Sequence, residues 1–317
     1  MTENSIAIII PVYNEAKNLS ELYARVKKTI ESLSVDYQII FVNDGSKDNS
    51  FTKIHDFATE NPNVFYINLT RNFGHQVAVS VGLEYCNAKC TVIIDSDLQD
   101  PPELISELYA KHKEGFDVVY AKRKKRDGES FFKKFTAKLY YRLLKKLVSF
   151  EIPLDTGDYR LISKKVVNAI NSMPEQNKFL RGQIAWLGFK HTFVSFDRET
   201  RKHGKSGYSY GKMFSLAFDG ITGFSDKPLL FVSRLGFLIS IFSFLLIIYA
   251  VFSHYILDKT ITGWTSLIIS SAFIGGIQLL SIGVIGEYIS RINNNVKNRP
   301  LYVLDSTNIN NKTSVER

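Results

Sequence analysis

The sequence is poor in cysteine, in nucleotide-binding glycine loops and, over one long stretch, in charge. Its 317 residues include two cysteines, Cys86 and Cys90, four positions apart. With no second pair elsewhere, neither a disulfide framework nor a zinc site is expected, which suits a reducing compartment. Met1 to Ser5 is short and polar, unlike a secretory leader. No GxGxxG and no GxxxxGKS/T follows an apolar run, which excludes the usual dinucleotide-binding Rossmann domain and the P-loop. Between residues 235 and 286 only Asp258 and Lys259 are charged, although charges are dense before residue 228. The chain carries +9 at pH 7, and residues 122–146 alone, with eleven basic and two acidic residues, account for that excess. A charge so concentrated has a local cause. A general nucleic-acid binder would spread it more widely.

What is present is an alternation of apolar β-branched runs with helical patterns. Strands are expected at 6–10, 37–42, 64–69, 92–94, 117–121 and 190–196. Helices are expected at 16–33, 49–59, 74–85, 103–114, 163–172 and 177–187. In the first five strands a repeat of about 25–30 residues points to βαβ units and a mostly parallel sheet. Each of these strands ends in polar residues, so one sheet edge should gather Asn14, Glu15, Asp44, Asp95 and Asp97. Ligands of α/β folds bind at that edge. In DSDLQDPPEL (95–104) the Asp-x-Asp pair is either a polar turn with helix-capping acids or a site for a hard divalent cation, which can in turn hold a diphosphate.

Residues 130–150 have Lys134, Lys138, Arg142, Lys145 and Lys146 on one helical face and Phe132, Phe135, Leu139, Leu143, Leu147 and Phe150 on the other. Such a helix either lies on an anionic membrane surface or packs on its own domain with solvated lysines. Residues 152–162, IPLDTGDYRLI, place Asp155 and Asp158 about a glycine. Residues 200–212, TRKHGKSGYSYGK, have four Lys and Arg, three Gly and no acid, the composition of a loop that can close over an anion. A second amphipathic pattern covers 208–224. Leu235–Ser253 and Ile261–Gly286 are 19 and 26 uncharged residues, each enough to cross a bilayer at ~1.5 Å rise per residue. The short connection His254–Thr260 makes them an antiparallel hairpin. Lys227, Arg234, Arg291, Lys297 and Arg299 flank it, so the positive-inside rule places both chain ends in the cytoplasm.

Five segments, PVYNEAKN (11–18), VNDGSKDNS (42–50), RNFGHQ (71–76), DSDLQDPPEL (95–104) and DTGDYRLIS (155–163), together resemble family 2 glycosyltransferases of the GT-A fold. The similar branch is that of the polyprenyl-phosphate glycosyltransferases, which includes bacterial bactoprenol glucosyltransferases and dolichol-phosphate mannose synthases. The likeness runs to about residue 300. The QxxRW of processive synthases is missing: the chain has Gln183-Ile-Ala-Trp186.

The resemblance implies a Rossmann-like GT-A catalytic domain at 1–205, a juxtamembrane helix at 206–228, two transmembrane helices at 229–289 and a cytoplasmic tail at 290–317. It implies inverting transfer of a sugar, glucose from UDP-glucose first, to undecaprenyl phosphate at the cytoplasmic face of the cell membrane, by a multi-pass protein. Mannose, GlcNAc, galactose or an aminoarabinose derivative, a non-lipid acceptor, and a non-catalytic nucleotide-sugar-binding scaffold are the alternatives. Asp95 and Asp97 would hold Mg²⁺ or Mn²⁺. Gln99 would contact the sugar or acceptor phosphate, and Pro11, Tyr13, Glu15 and Asp44 the base and ribose. Arg201 and Lys205 would close over the diphosphate, and Arg123 and Arg126 would bind the lipid phosphate. Asp158 would orient the acceptor or a basic partner. A two-helix anchor suits self-association, and the bacterial branch implies a homo-oligomer, a tetramer. Membrane lipids are expected partners and nucleic acid is not.

Overall fold

The computed structural model describes residues 4–124, 153, 156–197, 223, 225–255 and 263–309. They form two units, one from residues 1–217 and 299–317 and the other from 218–298.

The first unit is built on an eight-stranded sheet. In chain order its elements are β1 (Asn4–Val12), α1 (Ala16–Glu31), β2 (Tyr37–Asn43), α2 (Ser50–Glu60), β3 (Val64–Leu69), α3 (His75–Tyr85), β4 (Ala88–Ile93), α4 (Ile105–Lys113), β5 (Val118–Arg123), β6 (Thr156–Ser163), α5 (Lys164–Asn171), α6 (Leu180–Trp186), β7 (His191–Phe196) and β8 (Leu304–Thr307). The strand order is β7-β5-β6-β4-β1-β2-β3-β8. β4, β1, β2 and β3 run parallel. β6 is antiparallel to both β4 and β5, and β8 is antiparallel to β3. The sheet is thus mixed, four parallel pairings against three antiparallel ones.

The alternating strand runs form because both faces of the sheet are covered. Ile6, Ile8 and Ile10 of β1 enter one core with Leu19, Leu22, Val26 and Ile30 of α1. Ala7 and Ile9 point the other way, into a core with Ala78, Val79, Val81 and Leu83 of α3. A strand buried on both sides has no polar alternation, which is why β1 reads as an unbroken apolar run. Gly82 lets α3 approach: a Cβ there would lie 2.5 Å from Ile9 Cγ2.

β1 lies between β2 and β4, so the chain reverses its direction of progress across the sheet between β3 and β4. The crevice beyond the carboxyl ends of β1 and β4 is the ligand position in open α/β sheets. Tyr13–Glu15, Asp44 and Asp95–Asp97 follow β1, β2 and β4 at that edge.

Two strands were absent from the sequence expectation. β6 carries Asp158 and Arg160 within it, which masks its apolar residues. β8 is only four residues long, Leu-Asp-Ser-Thr, in a segment read as a tail. It is held by Tyr66 N–H donating to Asn308 Oδ1 at 2.8 Å and by Asn68 Nδ2 donating to Asp305 Oδ2 at 2.8 Å.

The second unit contains α7 (Lys227–Tyr255) and α8 (Trp264–Val296), of 29 and 33 residues. Two stretches, Lys227–Leu245 and Phe273–Val296, are long and apolar enough to cross a membrane. Their large side chains are open: Phe237, Leu238, Phe273 and Leu279 are each more than 60% exposed. Tyr288 Oη donates to the Ser225 carbonyl at 2.7 Å, so the end of α8 lies beside the start of α7 and the pair is antiparallel. So large an apolar surface needs a non-aqueous partner.

Candidate active site

The loops after β1 and β2 are laced together. Asn14 N–H donates to Ser46 Oγ at 3.0 Å, and Lys47 N–H returns to Asn14 Oδ1 at 2.7 Å. Asn14 is left-handed at φ 56°, a conformation asparagine tolerates better than most residues. Tyr13 is 44% exposed beside this junction. Pro11 is the buried penultimate residue of β1, and Glu15 accepts from Asn18 Nδ2 at the start of α1.

Asp44 is buried and both its oxygens are engaged by the chain. Phe73 N–H donates to Oδ1 at 2.7 Å and Gly74 N–H to Oδ2 at 2.9 Å. Burial raises its pKa above the ordinary carboxylate value, and the two backbone donors offset this only in part. Its structural effect is to fix residues 73–74, and with them the first turn of α3.

That turn carries His75 into the acid cluster. His75 Nε2 lies 3.5 Å from Asp95 Oδ1 and 3.5 Å from Asp158 Oδ2. Burial alone would lower the His75 pKa; Asp95 and then Asp158 outweigh it and raise it to about 9. Asp95 itself is raised, first by burial, while His75 pulls the other way.

Asp158 is surrounded by cations. Arg181 Nε and Nη2 donate to its Oδ1 and Oδ2 at 2.8 and 3.0 Å, and Arg160 Nη2 donates to Oδ1 at 3.1 Å. Arg160 also binds the Asp158 and Gly157 carbonyls, at 3.1 and 2.8 Å. Burial would raise the Asp158 pKa, but Arg181 and then His75 hold it well below the ordinary range.

Asp97 begins a tight turn in which its Oδ1 accepts Gln99 N–H at 3.1 Å and Leu98 is left-handed at φ 58°. Among the described residues no three His, Cys, Asp or Glu side chains form a cluster that could hold a metal alone. The donors present are two carboxylates at a strand end, one with a buried Oδ1 that lacks a hydrogen-bond partner. They fit a hard divalent cation that fills its shell with water and phosphate oxygens.

Of the residues expected from the sequence, Asp95 and Asp158 meet at His75, and Asp97 and Gln99 share the adjoining turn. Tyr13, Glu15 and Asp44 follow the neighbouring strands. Arg123 points inward: its Nη2 lies 3.7 Å from Asp100 Oδ1 and close to Gly157. Arg126, Asp155, Arg201, Lys205, the basic helix at 130–150 and the pattern at 208–222 lie outside the described residues. His75, Arg160 and Arg181 had no assigned role. RNFGHQ holds His75 in plain view, but a polar residue after a glycine at a helix start reads as capping. Arg181 sits in an ordinary helix, 23 residues beyond its partner.

Residues 7–170, more than half of the chain, match glycosyl transferase family 2. Over 307 residues the chain is 46% identical to the uncharacterized glycosyltransferase YkcC of Bacillus subtilis, covering 96% of this chain and 95% of that one. It is 37% identical over 306 residues to the SfII prophage-derived bactoprenol glucosyl transferase of Shigella flexneri, covering 96% and 99%. The acid-lined edge of a mixed GT-A sheet and the extent of these matches agree, and the chain belongs to glycosyl transferase family 2.

Proposed function

We propose that this glycosyltransferase moves a sugar, glucose from UDP-glucose first, from a nucleotide diphosphate to polyprenyl phosphate with inversion at the anomeric carbon. The observation that carries the reading is the enclosure of Asp158 by Arg181, Arg160 and His75. A carboxylate occupied by two guanidiniums and held below the ordinary range is a poor base for an acceptor hydroxyl. An acceptor hydroxyl needs a base; a phosphate monoester, with a second pKa near ~6, is already largely dianionic at pH 7. Such an acceptor needs positioning beside positive charge, and Asp158 gathers that charge. The Shigella relative named for bactoprenol supports the same acceptor.

Asp95 and Asp97 would hold a divalent cation, Mg²⁺ or Mn²⁺, which when bound neutralises charge on the departing diphosphate. Tyr13 and Glu15, with Pro11 shaping their strand end, would face the base and ribose. Asp44 would act on them through the 73–74 backbone that it fixes. Arg201 and Lys205 would close over the diphosphate, Gln99 would reach the sugar or acceptor phosphate, and Arg123 and Arg126 would draw in the lipid phosphate. Attack opposite the leaving group converts an α-linked donor into a β-linked lipid product.

The hairpin α7–α8 would cross the cell membrane. The pairing of β8 with β3 supports an even number of crossings, because residues on either side of the hairpin share one sheet. The basic flanks support a cytoplasmic position for that sheet by the positive-inside rule. Self-association as a tetramer belongs to the same reading. The test is a screen of radiolabelled nucleotide sugars against undecaprenyl phosphate, with the lipid products separated by thin-layer chromatography. The expected result is labelled lipid from UDP-glucose; equal turnover with a soluble glycan acceptor overturns the proposal.

A further inference from the structure

His75 stands where three parts of the sheet edge meet. Its Nε2 is equidistant, at 3.5 Å, from one oxygen of Asp95 on the β4 side and one of Asp158 on β6. Both neighbours are carboxylates, so the nitrogen between them carries a hydrogen. Neither separation is a formed hydrogen bond: the ring edge stands between the two oxygens as a bridge, within ion-pair reach of both. The ring is fixed from behind. Gly74, just before it, donates its N–H to Asp44. Gln76, just after it, accepts Leu180 N–H at 3.1 Å through Oε1 and so anchors the start of α6, whose Arg181 grips Asp158. The first two residues of α3 therefore tie β4, β6 and α6 to one another.

We propose that His75 is a positioning residue whose ring, interposed between the two carboxylates, sets the gap between Asp95, on the donor side, and Asp158, on the acceptor side. The role rests on the transferase reading above. Without the ring, two carboxylates face each other across the site and the gap changes. Displacing reacting groups by ~1 Å can cost about 100-fold in rate with little change in binding.

The test uses the full-length protein in detergent. His75→Ala should lower kcat by about 10- to 100-fold, measured well below its melting temperature because a partner of two carboxylates is lost, while calorimetric UDP affinity in Mn²⁺ changes less than about 3-fold. His75→Gln, which keeps an N–H donor of similar reach, should recover most of the loss. Wild-type kcat and KM in the alanine variant would overturn the proposal. So would a loss of UDP affinity in step with kcat, which would make His75 a donor-binding residue. An activity-independent readout separates this from the transferase reading. The nitrogen-15 resonance of His75 Nε2 should shift in both Asp95→Asn and Asp158→Asn, and a shift in only one or neither overturns the bridging position. Failure of the transferase reading appears instead in the wild type, as absence of lipid product.

Discussion

Arg181 meets the Asp158 carboxylate at two points, Nε on Oδ1 at 2.8 Å and Nη2 on Oδ2 at 3.0 Å. A planar guanidinium makes this fork and an ammonium does not. Arg181→Lys should therefore keep the charge but lose the orientation, lowering transfer by at least about 10-fold with UDP affinity retained. Arg181→Ala leaves a buried carboxylate with fewer partners and should cost about 2 kcal/mol. That is below the ~3–5 kcal/mol of a fully buried pair, because Arg181 is partly exposed. Thermal unfolding measures the second effect and single-turnover kinetics the first.

The same contact sets an acid limit. The folded pKa of Asp158 is depressed, by Arg181 and then His75 acting against burial. Its stabilising contribution is complete above the unfolded carboxylate value of about 3.9 and is lost only as pH falls through the lower folded value. Asp158 should therefore add no slope to melting temperature between pH 7 and 5 and a steep one below about pH 4. Asp158→Asn should be less stable at pH 7 and should flatten that acid limb. An unchanged limb would show that the arginines do not hold the acid in solution.

The two carboxylates after β4 differ in what surrounds them. Asp97 Oδ1 takes the Gln99 N–H, whereas Asp95 Oδ1 is buried beside His75. Replacing Asp97 with Asn preserves an oxygen that can accept from Gln99, so the turn should survive. The charge needed to hold a cation is lost. Product formation should fall by at least about 100-fold with melting temperature unchanged, and chelation of the wild type should reproduce the loss. Full activity in Asp97→Asn, or in chelator, would remove the metal assignment.

How much of this was legible depended on burial pattern. β1 to β5 and β7 could be found from their apolar β-branched runs, and Asp44 and Asp95 follow the strands expected to carry them to one edge. β6 could not be found in that way. Arg160 is 1% exposed in the middle of a strand, where a charged residue argues against a strand until its carbonyl and carboxylate partners are known. Those partners come from the fold. His75 and Arg181 were illegible for the same reason, since their meaning is a distance to residues 83 and 23 positions away. β8 is too short and polar to carry a period, and its pairing depends on an edge supplied by β3, more than 200 residues earlier.

Gly45 offers a backbone test. It is left-handed at φ +64°, and a Cβ there would sit 2.3 Å from the Arg71 carbonyl carbon and 2.6 Å from Asn72 N. Those atoms are backbone and cannot swing aside. Gly45→Ala combines ~1–2 kcal/mol of conformational strain with ~1–3 kcal/mol of overpacking, so a loss of about 2–5 kcal/mol is expected. The 71–75 loop would be pushed away from Asp44, and His75 with it. Donor turnover should fall even at temperatures where the variant stays folded. A melting temperature within a degree of wild type would contradict the close approach.

The pairing of β8 with β3 makes a prediction about sidedness that does not depend on activity. Ile67 pairs with Thr307 and Asn68 with Ser306, and Thr307 Oγ1 donates to the Tyr66 carbonyl at 2.7 Å. A strand beyond α8 can reach that edge only from the same side of a membrane as the sheet. Both native cysteines are buried, so an impermeant thiol reagent should report introduced ones cleanly. Lys17→Cys and Asn298→Cys, both at exposed positions, should label only after the cells are opened. Lys259→Cys, between the two apolar runs, should label in intact cells. If Lys17→Cys and Asn298→Cys labelled from opposite sides, the β3–β8 ladder could not form and the two-crossing hairpin would be excluded. If all three behaved alike, α7 and α8 would not cross the membrane at all.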